Sequence, residues 1–182
     1  MRDAEALAAN PWWDTPVIYD ATDLIPRDVL FGNPERAGAA ISPDGTRIGF
    51  LAPLDGVMNV WVGPLDDPSA AEPVTNDRGH GVSVFVFAHD DRTMLYLRDT
   101  DGDENWRLYT LDLSTGESTL RTPADGVTAA LMGHNRWNRT TVLVGLNADN
   151  PQLHDVYRLD LVTGALEKVE TNPGFAGWIV DS

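Results

Sequence analysis

The sequence lacks several features that would point to particular classes of protein. None of its 182 residues is a cysteine, which excludes disulfide scaffolds, thiolate metal sites and thiol nucleophiles. No apolar run near the N-terminus is long enough for a signal peptide, and no other stretch approaches the length of a membrane span. We therefore expect a cytoplasmic protein without a membrane partner.

Basic residues are scarce relative to acidic ones. The chain has 13 Lys and Arg against 28 Asp and Glu, which gives a formal net charge of −15. Such a surface repels phosphate groups, so we expect no nucleic-acid partner. The acidity by itself is explained by solubility. With 42% hydrophobic and 23% charged residues, the composition is that of a folded globular chain.

Catalytic motifs are also missing. The Gly-x-Ser-x-Gly turn that presents the nucleophile of an α/β-hydrolase does not occur in the sequence. The histidines show no i, i+4 spacing of a helical metal site, and nothing favours a triad assembled from distant residues. The histidines are His80, His89, His134 and His154. We assign no catalytic, cofactor-binding or metal-binding residue and expect no cofactor.

The chain does contain a repeat. Trp61, Tyr109 and Tyr157 follow one another at intervals of 48 residues, and each lies in a segment with strand-like composition. A period near 50 residues predicts stacked supersecondary units. Large aromatic residues at such repeated positions are expected to fill the space between units rather than to form a binding surface.

Turn residues divide each unit into four short strands. Gly accepts a positive φ and Asp bonds the local backbone, so Asp-Gly and Thr-Gly pairs mark the turns. These pairs include Asp44-Gly45, Asp55-Gly56, Thr115-Gly116 and Thr163-Gly164. Four short antiparallel strands per unit is the plan of a propeller blade. The predicted blades are residues 38–78, 79–124 and 125–172, each to within a few residues, with the start of the next blade in 173–182.

The sequence thus predicts an all-β fold in which residues 38–182 form a partial β-propeller. The ring is incomplete, because it has three four-stranded antiparallel blades plus the first strand of a fourth. The alternative is an antiparallel sandwich with accidental spacing. Residues 1–37 form a lead segment, rich in Trp and Pro, which we expect to combine a short helix with extended chain and to pack on a partner domain.

Two local features leave alternatives open. The alternating carboxylates of Asp99–Asn105 resemble a calcium loop. However, Glu104 stands where that loop needs Gly, and Thr110 stands where it needs a bidentate Glu. The other interpretation is a polar hairpin turn whose side chains bond local backbone. Trp137, in a polar run where a turn is expected, is either an exposed interaction residue or packs on a neighbouring loop.

Several segments together resemble a known family. They are Leu30–Arg36, Ser42–Gly45, Asn59–Val62 and Tyr96–Tyr109. In this combination the chain is similar to the N-terminal β-propeller of prolyl oligopeptidase family serine peptidases, especially the acylaminoacyl peptidase and dipeptidyl peptidase-like branch. The resemblance covers nearly the whole chain, and Asp101–Asn105 with its flanking strands is its most specific part.

The resemblance implies a C-terminal α/β-hydrolase domain that carries a Ser-Asp-His triad and is covered by the propeller, which limits access to peptides. No residue of this chain matches the triad motif. We therefore predict the non-catalytic propeller portion of a serine peptidase, truncated before the catalytic domain and inactive alone. Its partners would be that domain and the peptide substrates. The alternative is a stand-alone propeller-like binding or scaffold module that completes its ring by association.

Overall fold

The computed structural model describes residues 35–180 and, before them, Arg27 and Phe31 in helical conformation. Most of the predicted lead segment 1–37 therefore lies outside the described residues. The chain divides into two compact units, Met1–Asn33 and Pro34–Ser182, and all three sheets belong to the second. Among the described residues, no helix is long and apolar enough to cross a bilayer.

Twelve strands of the described residues form three four-stranded antiparallel sheets. The first sheet contains β1 (Ala37–Ile41), β2 (Arg47–Leu54), β3 (Val57–Pro64) and β4 (Glu72–Pro73). The second contains β5 (Val82–Phe87), β6 (Thr93–Arg98), β7 (Arg107–Asp112) and β8 (Ser118–Leu120). The third contains β9 (Ala129–His134), β10 (Thr141–Asn150), β11 (Leu153–Asp160) and β12 (Leu166–Glu170). The predicted all-β fold of three four-stranded blades is confirmed.

Each sheet is a meander, because its strands pair in the order in which they follow along the chain. In each blade, the turn between the third and fourth strands bonds the turn between the first and second. The backbone N–H groups of Leu65, Leu113 and Leu161 donate to carbonyls of the earlier turns at 2.9, 2.9 and 2.8 Å. These two turns therefore lie together at one end of every blade.

The repeated aromatic residues lie on the third strand of each blade. Trp61 faces Phe50 on the second strand, Tyr109 faces Tyr96, and Tyr157 faces Val144. All three repeated aromatic residues are half-buried. Tyr109 and Tyr157 pack against the hydrophobic clusters described next, which agrees with the packing role predicted for them.

The second blade is covered on both faces. Successive side chains of a strand point to opposite faces of its sheet. In β6, Met94 and Tyr96 join a cluster with Leu51 and Val60 of the first blade. Leu95 and its face neighbour Leu97 join a cluster with residues of the third blade. The hydrophobic core therefore lies in two layers, one between each pair of neighbouring blades, as expected for blades that stack around an axis.

A buried polar residue recurs two positions before each repeated aromatic residue. Asn59, Arg107 and Asp155 are 0%, 7% and 5% exposed. Each side chain bonds the backbone of the segment that follows the fourth strand of its blade. Asn59 Nδ2 donates to the carbonyl of Asp77, Arg107 Nε donates to that of Ala124, and Asp155 Oδ1 accepts from the N–H of Asn172. This polar latch fixes where the chain leaves each blade.

Residues 173–180 form no strand, although the sequence predicts that the first strand of a fourth blade begins there. A β-strand exists through its ladder of hydrogen bonds to a neighbour, and no strand of the described residues pairs with this segment. The segment instead packs on the third blade. The indole N–H of Trp178 donates to the carbonyl of His154 at 2.7 Å, and Val180 lies against Gly133.

Candidate binding cleft between the first and second blades

A cleft of about 630 Å³ separates the outer parts of the first and second blades. One wall comes from the turn after β2 and the segment after β4, and the other comes from β6, β7 and the start of β8. The residues that matter for its chemistry are Leu54, Asp55, Pro73, Val74, Asp77, Arg78, Tyr96, Arg98, Tyr109 and Ser118. Its volume is in the range of small-molecule sites in proteins.

Asp77 is held in place by the polar latch of the first blade. Asn59 accepts from the N–H of Asp77 at 2.7 Å and donates to its carbonyl at 3.0 Å. One oxygen of the Asp77 carboxylate accepts from the N–H groups of Gly81 and Gly79, at 2.7 and 3.3 Å. The other oxygen pairs with the guanidinium of Arg98 on the second blade. Both carboxylate oxygens are thus engaged.

The Arg98 guanidinium lies at the centre of the cleft. Its carbon is 4.7 Å from the centroid of the Tyr109 ring, within the range of a cation–π contact. One Nη donates to Asp77 and the other donates weakly to the Tyr109 hydroxyl at 3.4 Å. The Nε–H is buried and has no partner among the described residues. Such an unsatisfied buried donor costs free energy, and its burial leaves the Nη groups as the part of Arg98 that faces the cleft.

Two stacked tyrosines form the floor beside Arg98. The rings of Tyr96 and Tyr109 are 5.2 Å apart and inclined by 13°. The Tyr96 hydroxyl donates to Ser118 Oγ at 3.2 Å. Burial raises the pKa of Tyr96, so its hydroxyl is neutral at physiological pH and remains a hydrogen-bonding group. The aromatic pair gives the cleft a rigid surface.

Among the described residues, the lining of the cleft contains Ser118 and no histidine. Nucleophilic catalysis requires a hydroxyl in hydrogen-bond contact with a base. In residues 35–180, the hydroxyls of Ser42, Ser69 and Ser114 donate to carboxylates or backbone, and Ser118 accepts from Tyr96; no serine hydroxyl bonds a histidine. The cleft therefore offers cationic and hydroxyl groups to a ligand, with no nucleophile beside a base.

The loop Asp99–Asn105 bonds its own backbone, as the hairpin interpretation predicts. Asp103 Oδ1 accepts from the N–H groups of Thr100 and Asn105, at 3.2 and 3.1 Å. The Arg107 guanidinium donates hydrogen bonds to both oxygens of Asp103, at 3.1 and 2.7 Å. This contact holds the pKa of Asp103 below its usual range. The carboxylate that the calcium interpretation needs is thus bound by an arginine. Within the described ranges, no group of three acidic or histidine side chains has the geometry to hold a metal ion.

Trp137 lies in the turn between β9 and β10 and is 72% exposed. Asn135 Oδ1 accepts from the N–H groups of Trp137 and Asn138, at 3.0 and 2.8 Å. The Arg136 guanidinium lies 4.5 Å from the centroid of the Trp137 ring. Trp137 is therefore exposed, and an interaction role for it stays a prediction.

Two histidines from different blades meet at the end of the blades where the first and third turns lie. The rings of His89 and His134 are 5.1 Å apart. The Nδ1 atom of His134 is buried and has no partner among the described residues. Burial, followed by the nearby His89, lowers the pKa of His134.

Sequence reasoning missed both the polar latch and the cleft. The latch could have been predicted from the sequence, since Asn59, Arg107 and Asp155 recur with the period of the aromatic residues. The cleft has no comparable sequence pattern. Asp77 and Arg98 are 21 residues apart, and no local pattern shows that they meet.

The three sheets, stacked face to face, define a segment of a β-propeller. The chain is 18% identical to the β-propeller domain of the Trilobed protease from Pyrococcus furiosus, with a TM-score of 0.53 over 75% of this chain and 43% of that one. With the acylaminoacyl peptidase of Pyrococcus horikoshii it shares 15% identity and a TM-score of 0.52, over 76% of this chain and 25% of that one. These likenesses confirm the fold.

Two proteins of known sequence match the chain at higher identity than these structures do. The chain is 44% identical to dipeptidyl aminopeptidase BIII of Pseudoxanthomonas mexicana over 162 residues, which are 88% of this chain and 24% of that protein. It is 31% identical over 173 residues to dipeptidyl peptidase family member 6 of Caenorhabditis elegans, which are 91% of this chain and 23% of that protein. No family model matches the chain.

The chain is homologous to the N-terminal propeller region of dipeptidyl-peptidase-type proteins, which confirms the resemblance to prolyl oligopeptidase family propellers. It spans about a quarter of the length of the relatives it matches.

Proposed function

We propose that this chain is the propeller part of a dipeptidyl peptidase of the serine type and that it limits which peptides reach a catalytic α/β-hydrolase domain. The observation that carries the proposal is the coverage of the first relative. The match takes in 88% of this chain but 24% of a dipeptidyl aminopeptidase, so the homologous protein has room for a further domain of substantial size.

The structure supports a scaffolding and access role in two ways. Three blades are fewer than the number in known closed propellers, so the ring that would surround an access channel needs further blades. The cleft of the first two blades, in turn, places no nucleophile beside a base, so the catalytic step belongs to another domain under this proposal. The cytoplasmic location expected from the composition stays a prediction.

The native protein provides the test. An antibody raised against the 182-residue chain is used to detect and purify the protein from cells that express it. We expect a band of about four times 19.9 kDa, following the share of the relatives that the chain covers. The purified protein should release dipeptides from a chromogenic dipeptidyl substrate and react with a fluorophosphonate, which labels activated serines. The 182-residue chain alone should do neither.

A native protein of 19.9 kDa that is not labelled by the fluorophosphonate would overturn the proposal. Light scattering then decides the alternative function. A defined oligomer would support a binding module that completes its ring by association, and a monomer would contradict it. One observation favours keeping this alternative. Ile41 and Ile179 are 59% and 101% exposed, and exposed apolar side chains of this size mark surfaces that associate.

A further inference from the structure

The cleft between the first and second blades is complete within this chain. Both of its walls come from strands and connections of residues 54–118, and the two blades pack through a shared hydrophobic cluster. Its shape therefore does not depend on further blades or on another domain. A ligand of this cleft would bind the chain as it stands.

The cleft holds unused cationic hydrogen-bond donors. A guanidinium has five N–H donors, and Arg98 uses one on Asp77 and one on Tyr109 among the described residues. Its Nε–H is buried, so the donors left for a ligand in the cleft are the remaining Nη–H groups. Asp77 accepts from Arg98 through one oxygen, while its other oxygen accepts from Gly79 and Gly81.

A second cation lies at the same cleft. Arg78 lines it, is exposed and forms no ion pair in residues 35–180. Asp55 is the remaining acidic residue of the lining and lies in the turn after β2. Two guanidinium groups therefore line one cleft. Guanidinium groups recognise carboxylates through paired N–H bonds.

The first-blade wall also carries apolar side chains. Leu54, Pro73 and Val74 lie there beside Asp55, Asp77 and Arg78, across from the tyrosine pair on the second blade. Apolar side chains next to a few convergent polar groups are the usual design of a small-molecule site. A ligand that matches both sides carries one carboxylate and a short aliphatic part.

We propose that this cleft binds a small aliphatic carboxylate. The carboxylate accepts from the free Nη–H groups of Arg98 and from the guanidinium of Arg78, and the aliphatic part lies against Leu54 and Val74. This inference is independent of the peptidase function proposed above, because it concerns a site on the chain alone.

The test compares two probes that differ in one group, 4-methylpentanoate and 4-methylpentanamide. Isothermal titration calorimetry with the 182-residue chain should show binding of the acid and at least tenfold weaker binding of the amide, because the amide lacks the charge. The affinity for the acid should fall when salt is raised, since the contact is ionic and part of it is exposed. Equal affinity for acid and amide would overturn the proposal, and so would the absence of binding by the acid up to about 10 mM.

Variants locate the site. Arg78→Gln removes a cation without an internal ion pair, so the fold should be retained and the affinity for the acid should fall several-fold. Arg98→Gln should lower it at least tenfold, and Arg98→Lys should give an intermediate loss because a lysine keeps the charge without the forked geometry. Arg136→Gln, on the third blade, is the matched control and should leave the affinity unchanged.

Circular dichroism checks that the Arg98 variants fold, since Arg98→Gln leaves Asp77 without its charged partner. If Arg98→Gln does not fold, the affinity of the Arg78→Gln variant for the acid tests the proposal. Full affinity for the acid in Arg78→Gln, or in a folded Arg98→Gln, would contradict the assignment of the carboxylate to these arginines.

Discussion

Asp91 and Arg139 lie 48 residues apart, at the same position of two successive blades, and their side chains form an ion pair of 2.8 Å. The same residue is held from the other side, because Arg47 of the first blade donates to the Asp91 carbonyl at 2.6 Å. Asp91 has a positive φ of 61°. One turn of the second blade thus links all three blades.

The two arginines that bond Asp91 should differ in how much they contribute to the free energy of unfolding. The Arg139 and Asp91 side chains are 56% and 33% exposed, so Arg139→Ala should lower the free energy of unfolding by less than about 1 kcal/mol. Arg47 is more buried and also lies 5.9 Å from the Phe87 ring centroid, so Arg47→Ala should cost roughly 1–2 kcal/mol. Urea denaturation measures both. A larger loss for Arg139→Ala than for Arg47→Ala would contradict this ranking.

The polar latch of the first blade should be essential for stability. Asn59 is fully buried, and its amide makes bonds to Val57, Thr75 and Asp77. Asn59→Ala leaves these groups buried without a partner, at a cost of roughly 2–4 kcal/mol. Chemical denaturation should show this loss, with the exposed Asn138→Ala as a control within about 0.5 kcal/mol of the parent. Equal stability of the two variants would show that the hydrogen bonds of Asn59 do not stabilise the fold.

Close contact between the first two blades requires a glycine. A Cβ atom on Gly49 would lie 2.8 Å from the Phe85 ring and 3.0 Å from the Phe87 ring of the next blade. Gly49→Ala should therefore overpack the interface and cost about 1–3 kcal/mol. At Gly79 the nearest atom to an added Cβ is 3.8 Å away, so Gly79→Ala serves as the matched control. Thermal unfolding of both variants checks the difference, and a parent-like Gly49→Ala would contradict the packing.

The contact between His89 and His134 should make stability depend on pH. The pKa of His134 is lowered in the fold by burial and by the facing His89, so folding disfavours its charged form. The stabilisation is therefore complete above the unfolded-state pKa of about 6.5 and is lost as the pH falls below it. Urea denaturation between pH 8 and pH 5 should show a smaller loss for His134→Gln than for the parent.

The exposed His80 provides the control for that experiment. His80→Gln should keep the pH dependence of the parent. If His134→Gln and His80→Gln lose stability equally on acidification, the histidine contact is not the cause.

The strands with strong local signals were predicted closely. The sequence predicts strands at 82–87 and 93–98 from apolar runs bounded by turn residues, and at 166–170 from the turn before it. The limits of β5, β6 and β12 coincide with these predictions. For β10 the apolar run of the sequence predicts a strand at 141–146, whereas the strand continues to Asn150. Its last residues are polar and exposed, so they carry no strand pattern, and pairing of Asn150 with Leu153 across the hairpin keeps them extended.

The sequence by itself determined the repeat, since the spacing of Trp61, Tyr109 and Tyr157 and the turns between strands are local and periodic properties. It also excluded thiol chemistry and the common nucleophile turn. The tertiary structure decided which polar residues meet. Arg98 pairs with Asp77, whose backbone is bonded by Asn59, and such a contact depends on packing between sheets, which no pattern within one strand records.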